Sequence, residues 1–378
     1  MINILIAIFG FIALYYFYFI LRINQGLKKL SRQVSKGVSP SEYISVIIPF
    51  RNESECILKS LASIEAQQYP KDKFEVIYVN DCSDDDSLEK IFNAQKSENI
   101  KVISVPQHYA PGAHKKRAIK YAIEQAKGDI IVSTDCDCIH DKYWLEAMLS
   151  LYDEETAFIS GPVSFLYDNS AFSRLQALEF SGLILIGAGL IGIGNPTICN
   201  AANLSYRKKV YNEVGGFSGN MNLSSGDDEF LMQKIASTTD YKIKFNPQKR
   251  AIAFTEPNKT VGEFFQQRKR WASKGLFYKD KALILKLFMI FLFYVSLPLQ
   301  LLASIFYSEV FLVSFFIAFS LKIIFETQFL LKGSGFLFEK KLLLYILPAE
   351  ILQIPYIIFA SIAGSFGNYK WKDRKLKR

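Results

Sequence analysis

The stretch Gly128 to His140, GDIIVSTDCDCIH, decides how the chain is read. Ile130, Ile131 and Val132 form a β-branched apolar run, the composition of a strand buried on both faces. Gly128, directly before it, is a natural stop for the preceding helix. Asp135 and Asp137 follow at the strand's carboxyl end, where ligands bind in an open α/β sheet. Two carboxylates so close repel each other unless a cation sits between them, and hard oxygen ligands suit Mg²⁺ or Mn²⁺. The alternative is a loop carrying two solvated acids.

Outward from this stretch the same pattern repeats. Ile44 to Ile48 (ISVII) reads as a second buried strand, ended by Pro49, and Asn52, Glu53 and Ser54 then offer helix-capping oxygens. Ile57, Leu58, Leu61 and Ile64 recur at helical spacing. Phe74 to Val79 is a third strand with Asn80, Asp81, Ser83 and Asp84 at its end, and Val102 to Val105 a fourth. Ala118, Ile119, Ala122, Ile123 and Ala126 mark a helix leading back to Gly128, and Tyr143 to Leu151 reads as another. This alternation predicts an α/β domain with a parallel sheet and helices on both faces. No G-x-G-x-x-G follows a strand and no G-x-x-x-x-G-K-[ST] occurs, which argues against a dinucleotide-binding dehydrogenase and a P-loop NTPase. The three histidines lack H-E-x-x-H spacing, which argues against a zinc hydrolase. The five cysteines form no C-x-x-C pair, as in a reduced domain. Cys136 and Cys138 alternate with the aspartates, either as soft metal ligands or as small packing residues facing away from them.

Half of the 378 residues are hydrophobic, and the excess is concentrated at the two ends. Met1 to Leu21 carries no charge and is long enough to cross a bilayer core. It lacks the basic start and small-residue cleavage site of a signal peptide, which favours a retained anchor. Leu283 to Phe306, Val310 to Leu331 and Leu342 to Phe366 are further apolar blocks. The expected division is an anchor over 1–22, an α/β domain over 40–281, a membrane region of two to three segments over 282–366 and a basic tail over 367–378. Arg22, Lys28, Lys29, Arg32 and Lys36 precede the first acid, Glu42, so the positive-inside rule puts the domain in the cytoplasm. Lys370, Lys372, Arg374, Lys375, Lys377 and Arg378 argue that the tail is also inside. Pro348, Glu350 and Pro355 then make the third block re-entrant or kinked, and Lys322 and Glu326 are spaced to pair. The formal charge of +9 comes largely from such flanks, so it is membrane-surface charge and no nucleic-acid partner is expected.

Other stretches admit two readings each. Gly182 to Gly194 (GLILIGAGLIGIG) is too glycine-rich for a firm helix, and either lines a path for a lipid tail or lies in the core. Asp227, Asp228 and Glu229 precede an apolar helical stretch, where acids suit a helix N-terminus or supply a general base. Gln266 to Trp271 (QQRKRW) is a basic–aromatic membrane anchor or a phosphate- and sugar-binding run. His114 to Arg117 (HKKR) meets phosphates or is a solvated face.

In this order the pieces resemble the family-two, GT-A-fold glycosyltransferases, and within them the membrane-embedded branch of ceramide glucosyltransferase-like enzymes and hyaluronan, chitin and cellulose synthases. The likeness runs from about Ile44 to Trp271. It implies a Rossmann-like GT-A domain with a mostly parallel sheet, transmembrane helices at both ends, and an integral protein of a bacterial inner membrane. It implies donor contacts from Pro49, Asn52, Glu53 and Asp81, the last with the base, usually uracil. Lys115, with Lys116 as alternative, lies near the diphosphate, and Arg270 joins it from the Q-x-x-R-W motif. Asp135 and Asp137 match the D-x-D that holds Mg²⁺ or Mn²⁺. Asp228 matches the catalytic base. Asn203 (with Arg207 nearby), Asp227, Gln267 and Trp271 fall on the acceptor side. Asn80 departs from the commoner aspartate of the base-binding pair. The implied activity is inverting, metal-dependent transfer from a nucleotide-sugar, a UDP-sugar foremost, to a lipid, lipid-linked or glycan acceptor at the membrane. A processive polysaccharide synthase is the alternative, and an inactive nucleotide-sugar-binding partner the alternative of another class.

Overall fold

The computed structural model describes residues 2–30, 42–109, 114–221, 223, 226–278, 280–365, 369–371 and 374–376. Arg32 and Lys36 of the basic flank, and Lys372, Lys377 and Arg378 of the tail, lie outside the described residues. In chain order the elements are α1 (Ile2–Leu30), β1 (Ile44–Phe50), α2 (Ile57–Glu65), β2 (Phe74–Asn80), α3 (Ser87–Ala94), β3 (Ile100–Ser104), α4 (His114–Gln125), β4 (Ile130–Thr134), β5 (Ile139–His140), α5 (Trp144–Leu149), β6 (Thr156–Ser160), β7 (Val163–Phe165) and α6 (Ala171–Gly192). They continue with β8 (Asn203–Arg207), α7 (Lys208–Glu213), α8 (Glu229–Thr238), β9 (Lys242–Phe245), β10 (Ala253–Thr255), α9 (Val261–Ser273), α10 (Lys281–Phe306), α11 (Val310–Gly333) and α12 (Ile346–Ser365). Two short strands, β11 (Tyr369–Trp371) and β12 (Arg374–Leu376), follow.

The chain divides into two compact units. One comprises Gly26–Tyr167 and Leu183–Pro257; the other comprises Met1–Gln25, Asp168–Gly182 and Asn258–Arg378. The first is built on a sheet of order β3-β2-β1-β4-β8-β6-β9. All its strands run parallel except β8, which is antiparallel to both neighbours. Every residue of β1 and β4 is buried, as their unbroken apolar runs require. Pro49 does not end β1, as the sequence reading has it. The pairing of β1 with β4 stops at Ile47, so on that side the ladder asks no N–H of Pro49. A second sheet, β5-β10-β7, lies in the same unit.

The glycine-rich stretch is helical, against expectation. It forms the second half of α6, and its glycines serve close backbone approach. A Cβ on Gly187 would sit 2.8 Å from Ile198 O, and one on Gly192 would sit 2.4 Å from Gly26 O. The apolar window of α6 is 67% buried, against 17–28% for the other long apolar helices, which favours the core reading over the lipid path.

The second unit holds α10, α11 and α12 whole. Among the described residues, five helices, α1, α6, α10, α11 and the segment Lys340–Ser365, are long and apolar enough to cross a membrane. The third carboxy-terminal block ends in one continuous helix, α12, that runs through Pro355. Lys322 meets Glu326 at 3.0 Å, the pairing its spacing predicts, and also reaches Glu350 and, at 2.7 Å, Gln353 of α12. Tyr16 of α1 bonds Glu326 and, at 3.3 Å, Tyr294 of α10. Charges inside an apolar bundle are tolerable when they satisfy one another in this way.

Candidate active site

The carboxyl ends of β1, β2 and β4 lie along one edge of the main sheet, and antiparallel β8 starts at the same edge, with Asn203 opposite Thr134. The D-x-D leaves β4 in a tight turn, Cys138 N donating to Asp135 O at 3.1 Å. Cys136 and Cys138 point into the interior and are buried, which supports packing over ligation. Asp135 accepts from Lys115 Nζ at 2.5 Å, and Asp137 accepts from Thr255 Oγ1 of β10 at 3.2 Å. Asp137 is solvent-exposed at its tip. Its carboxyl is nevertheless raised to about 6, by the protein packed around it and then by the charge of Asp135, against the lowering effects of Thr255 and Lys115.

The second acidic motif reaches the same cation. Asp227 Oδ2 lies 3.4 Å from Lys115 Nζ. Burial works against the lysine charge, but Asp135 and Asp227 outweigh it and Asp228 adds to them, so the ammonium is held above the ordinary lysine range. Asp228 stands at the start of α8, is buried, and accepts from Ala201 N at 3.0 Å through Oδ2. Gly226 shapes the turn into this motif. Its φ is +82°, and a Cβ there would lie 2.4 Å from the Phe230 ring.

The loops after β1 and β2 are laced together. Asp81 is buried and paired with Arg117 Nη2 at 2.7 Å, while Arg51 binds Asp81 O at 3.0 Å and Asp84 at 2.5 Å. Asn52 takes φ +52° and accepts from Asp84 N at 2.9 Å; Glu53 N donates to Ser87 Oγ at 2.8 Å. Asn80 Oδ1 accepts from Ser83 N at 2.9 Å. Pro49 is buried in β1.

Lys115 and Lys116 separate cleanly. Lys115 lies among the acids, whereas Lys116 is buried with its ammonium on Asn220 O and Leu223 O, each at 2.9 Å. The cations of the H-K-K-R run therefore do not form a solvated face; from Lys115 to Arg117 they meet carboxylates and carbonyls of the fold.

Asn203 is held by the fold itself. It is completely buried, its Nδ2 donates to Pro162 O at 2.7 Å and Ala251 O at 2.6 Å, and its Oδ1 accepts from Trp144 Nε1 at 3.1 Å. Both amide hydrogens and the oxygen thus serve the fold. Arg207 lies at the far end of β8, opposite Ile130, and binds Glu42 at 2.8 Å and Thr156 O at 3.0 Å. Gln267, Arg270 and Trp271 are carried on α9 of the other unit, whose start is fixed by a reciprocal Thr260–Glu263 cap. Sequence reading missed Arg51, Arg117 and Thr255. A buried acid needs a partner, so Asp81 hinted at a cation, but nothing local pointed to Thr255.

Residues 45–215 match the model for glycosyl transferase family 2. They form a glycosyl transferase family 2 domain. The chain is 27% identical to glycosyltransferase AglE of Haloferax volcanii over 230 residues, which cover 60% of this chain and 71% of that one. It is 26% identical to poly-beta-1,6-N-acetyl-D-glucosamine synthase of Staphylococcus epidermidis over 246 residues, 62% of this chain and 55% of the synthase. The match to the synthase thus spans less than two thirds of its length. Among solved structures, the mannosyltransferase PcManGT of Pyrobaculum calidifontis, in complex with GDP-Man and Mn²⁺, aligns over 96% of both chains with a TM-score of 0.52 and 15% identity. That likeness shows a GT-A-like fold.

The donor set at the β4 edge also fits a divalent cation. Among the described residues no three His, Cys, Asp or Glu side chains converge into a cage. The protein instead offers the exposed Asp137 beside Asp135, two mutually repelling carboxylates, and Mg²⁺ is usually held by one or two carboxylates plus water and phosphate oxygens.

Proposed function

We propose that this family 2 glycosyltransferase is membrane-bound and inverting. It moves a sugar from a nucleotide-sugar, a UDP-sugar first among candidates, to the hydroxyl of a lipid or lipid-linked acceptor in cell-envelope glycan or glycolipid synthesis. The observation that carries the reading is the meeting of both acidic motifs at Lys115, which contacts Asp135 and Asp227 and feels Asp228.

In this reading the loops holding Asn52, Glu53 and Asp81 receive the nucleotide, with Pro49 beneath them in the sheet. A divalent cation, Mg²⁺ or Mn²⁺, on Asp137 and Asp135 supplies Lewis-acid stabilisation of the diphosphate when bound. Lys115 turns its charge toward the leaving group, and stabilising charge that develops there is the main electrostatic lever. Asp228 takes the proton from the acceptor hydroxyl; the bond from Ala201 N holds its Oδ2 in place and orients the carboxyl. Asp227 sits beside it on the acceptor side. Arg270 is assigned to the donor, and Gln267 and Trp271 to the acceptor, on the strength of the motif. The uncharged anchor with Arg22, Lys28 and Lys29 behind it supports a cytoplasmic domain.

Asp228→Asn tests the base. Removing a positioned base costs roughly 10²–10⁴-fold in rate, so transfer from labelled UDP-sugars should nearly vanish while donor binding by calorimetry stays at the wild-type level. Near wild-type turnover refutes the assignment. The 26% identity to a polysaccharide synthase favours a second reading, a processive synthase. Product length on a gel separates them: one added sugar for the first, a ladder for the second.

A further inference from the structure

Arg268 of the Q-R-K-R-W run has no part in the mechanism above, yet its side chain is only 2% exposed. Its guanidinium makes a two-point contact with Glu179 of α6, Nη2 on Oε2 and Nε on Oε1 at 3.2 Å. The hydroxyl of Tyr356 on α12 donates to the same Glu179 Oε1. Nη1 donates to Gln267 Oε1 at 2.5 Å. The guanidinium carbon lies 4.3 Å from the Trp271 ring centroid and 4.5 Å from that of Phe264. Residues 264, 267, 268 and 271 are about one helical turn apart and share a face of α9.

Gln267 is held from a second side. Asn258 Nδ2 donates to its Oε1 at 3.0 Å, and Asn258 is itself pinned by Gln176 through bonds of 3.0 and 3.1 Å. With its oxygen spent twice, the Gln267 amide carries its NH₂ on the opposite side as a hydrogen-bond donor. Only a planar fork can serve Glu179 and Gln267 together while stacking on aromatic rings; an ammonium cannot.

We propose that Arg268, braced by Glu179 and Tyr356, is a positioning residue that sets the Gln267 amide and the Trp271 ring for the acceptor. The inference rests on the acceptor role proposed for those two side chains. A buried ion pair adds little net stability over apolar packing; its contribution here is geometry.

The test uses full-length Arg268→Lys, Glu179→Gln and Tyr356→Phe in detergent. Donors are UDP-N-acetylglucosamine and GDP-mannose; acceptors are a β-linked N-acetylglucosamine trisaccharide and a long-chain polyprenyl phosphate. Hydrolysis of the donor by water gives an acceptor-independent reference. Arg268→Lys and Glu179→Gln should raise acceptor KM by about 10-fold or more, with donor KM and hydrolysis within about two-fold of wild type. Tyr356→Phe, which keeps the ion pair, should shift acceptor KM less in the same direction. The emission assigned to Trp271, obtained by subtracting the spectrum of Trp271→Phe, should also change in Arg268→Lys. A merely structural role would instead lower transfer and hydrolysis together in proportion to the folded fraction, and that result overturns the proposal, as does an unchanged acceptor KM. If the wild type turns over neither donor with either acceptor, the functional reading fails. The Trp271 emission then decides the positioning by itself, an unchanged spectrum overturning it.

Discussion

Asn203→Leu distinguishes a structural amide from an acceptor ligand. The replacement is close in size, but it removes the partner of three buried groups. Pro162 O keeps the bond it accepts from Ala253 N at 3.0 Å, so the two groups most exposed to loss are Trp144 Nε1 and Ala251 O. Each buried polar group left unpaired costs about 1–3 kcal/mol, which places the loss at roughly 2–6 kcal/mol. There is no slack to absorb it: a Cβ on the neighbouring Gly161 would already lie 2.4 Å from Asn203 Nδ2. The expected result is a large fall in the thermal unfolding midpoint of the detergent-solubilised protein, with a matching fall in folded yield. The transfer that survives should show wild-type KM for both substrates. A variant that keeps its unfolding midpoint and loses only acceptor affinity would refute the reasoning and restore Asn203 to the acceptor site.

Gly226→Ala forces a side chain into a left-handed turn at φ +82° and against the Phe230 ring, so it should displace Asp227 and Asp228 and lower transfer roughly 10–100-fold, because misplacement of about 1 Å is that costly. Initial rates at saturating donor check this, and a wild-type rate counts against the strained turn as the device that sets the base. Mn²⁺ affinity, read by electron paramagnetic resonance, should fall about tenfold per unit as pH drops below about 6 and level off above it, since a proton on Asp137 competes with the metal. Asp137→Asn should flatten that dependence, and an unchanged profile would show that another group titrates.

What could be read without coordinates follows from where each residue's partners lie. β1 and β4 are buried on both faces, so composition alone identifies them, and the acids after β2 and β4 inherit their place from the strands. The one antiparallel strand of the seven-stranded sheet, β8, carries no such mark, because its neighbours β4 and β6 precede it and are set by tertiary pairing. Glycine count argued against a helix at 182–194 because propensity charges each glycine its cost and cannot credit the backbone contact it permits. Gly187 and Gly192 collect that credit from Ile198 and Gly26, residues distant in sequence in the second case.

The same logic separates the legible part of the site from the rest. Acids announce themselves by clustering at strand ends, but a cation's meaning depends on what it meets. Lys115, Lys116 and Arg117 are consecutive, yet they serve Asp135, two carbonyls and Asp81 respectively. Because Arg117 pairs with Asp81, the donor-side acid is already matched by a counter-charge. Lys115 stands against both Asp135 and Asp227, with Asp137 and Asp228 close enough to act on the cluster's charge. Clustered carboxylates repel a bare nucleotide diphosphate, and in the proposed reading a divalent cation converts that repulsion into binding. On the proposed function this is the physical reason for a D-x-D beside a fixed lysine: donor and cation would stabilise one another at this edge.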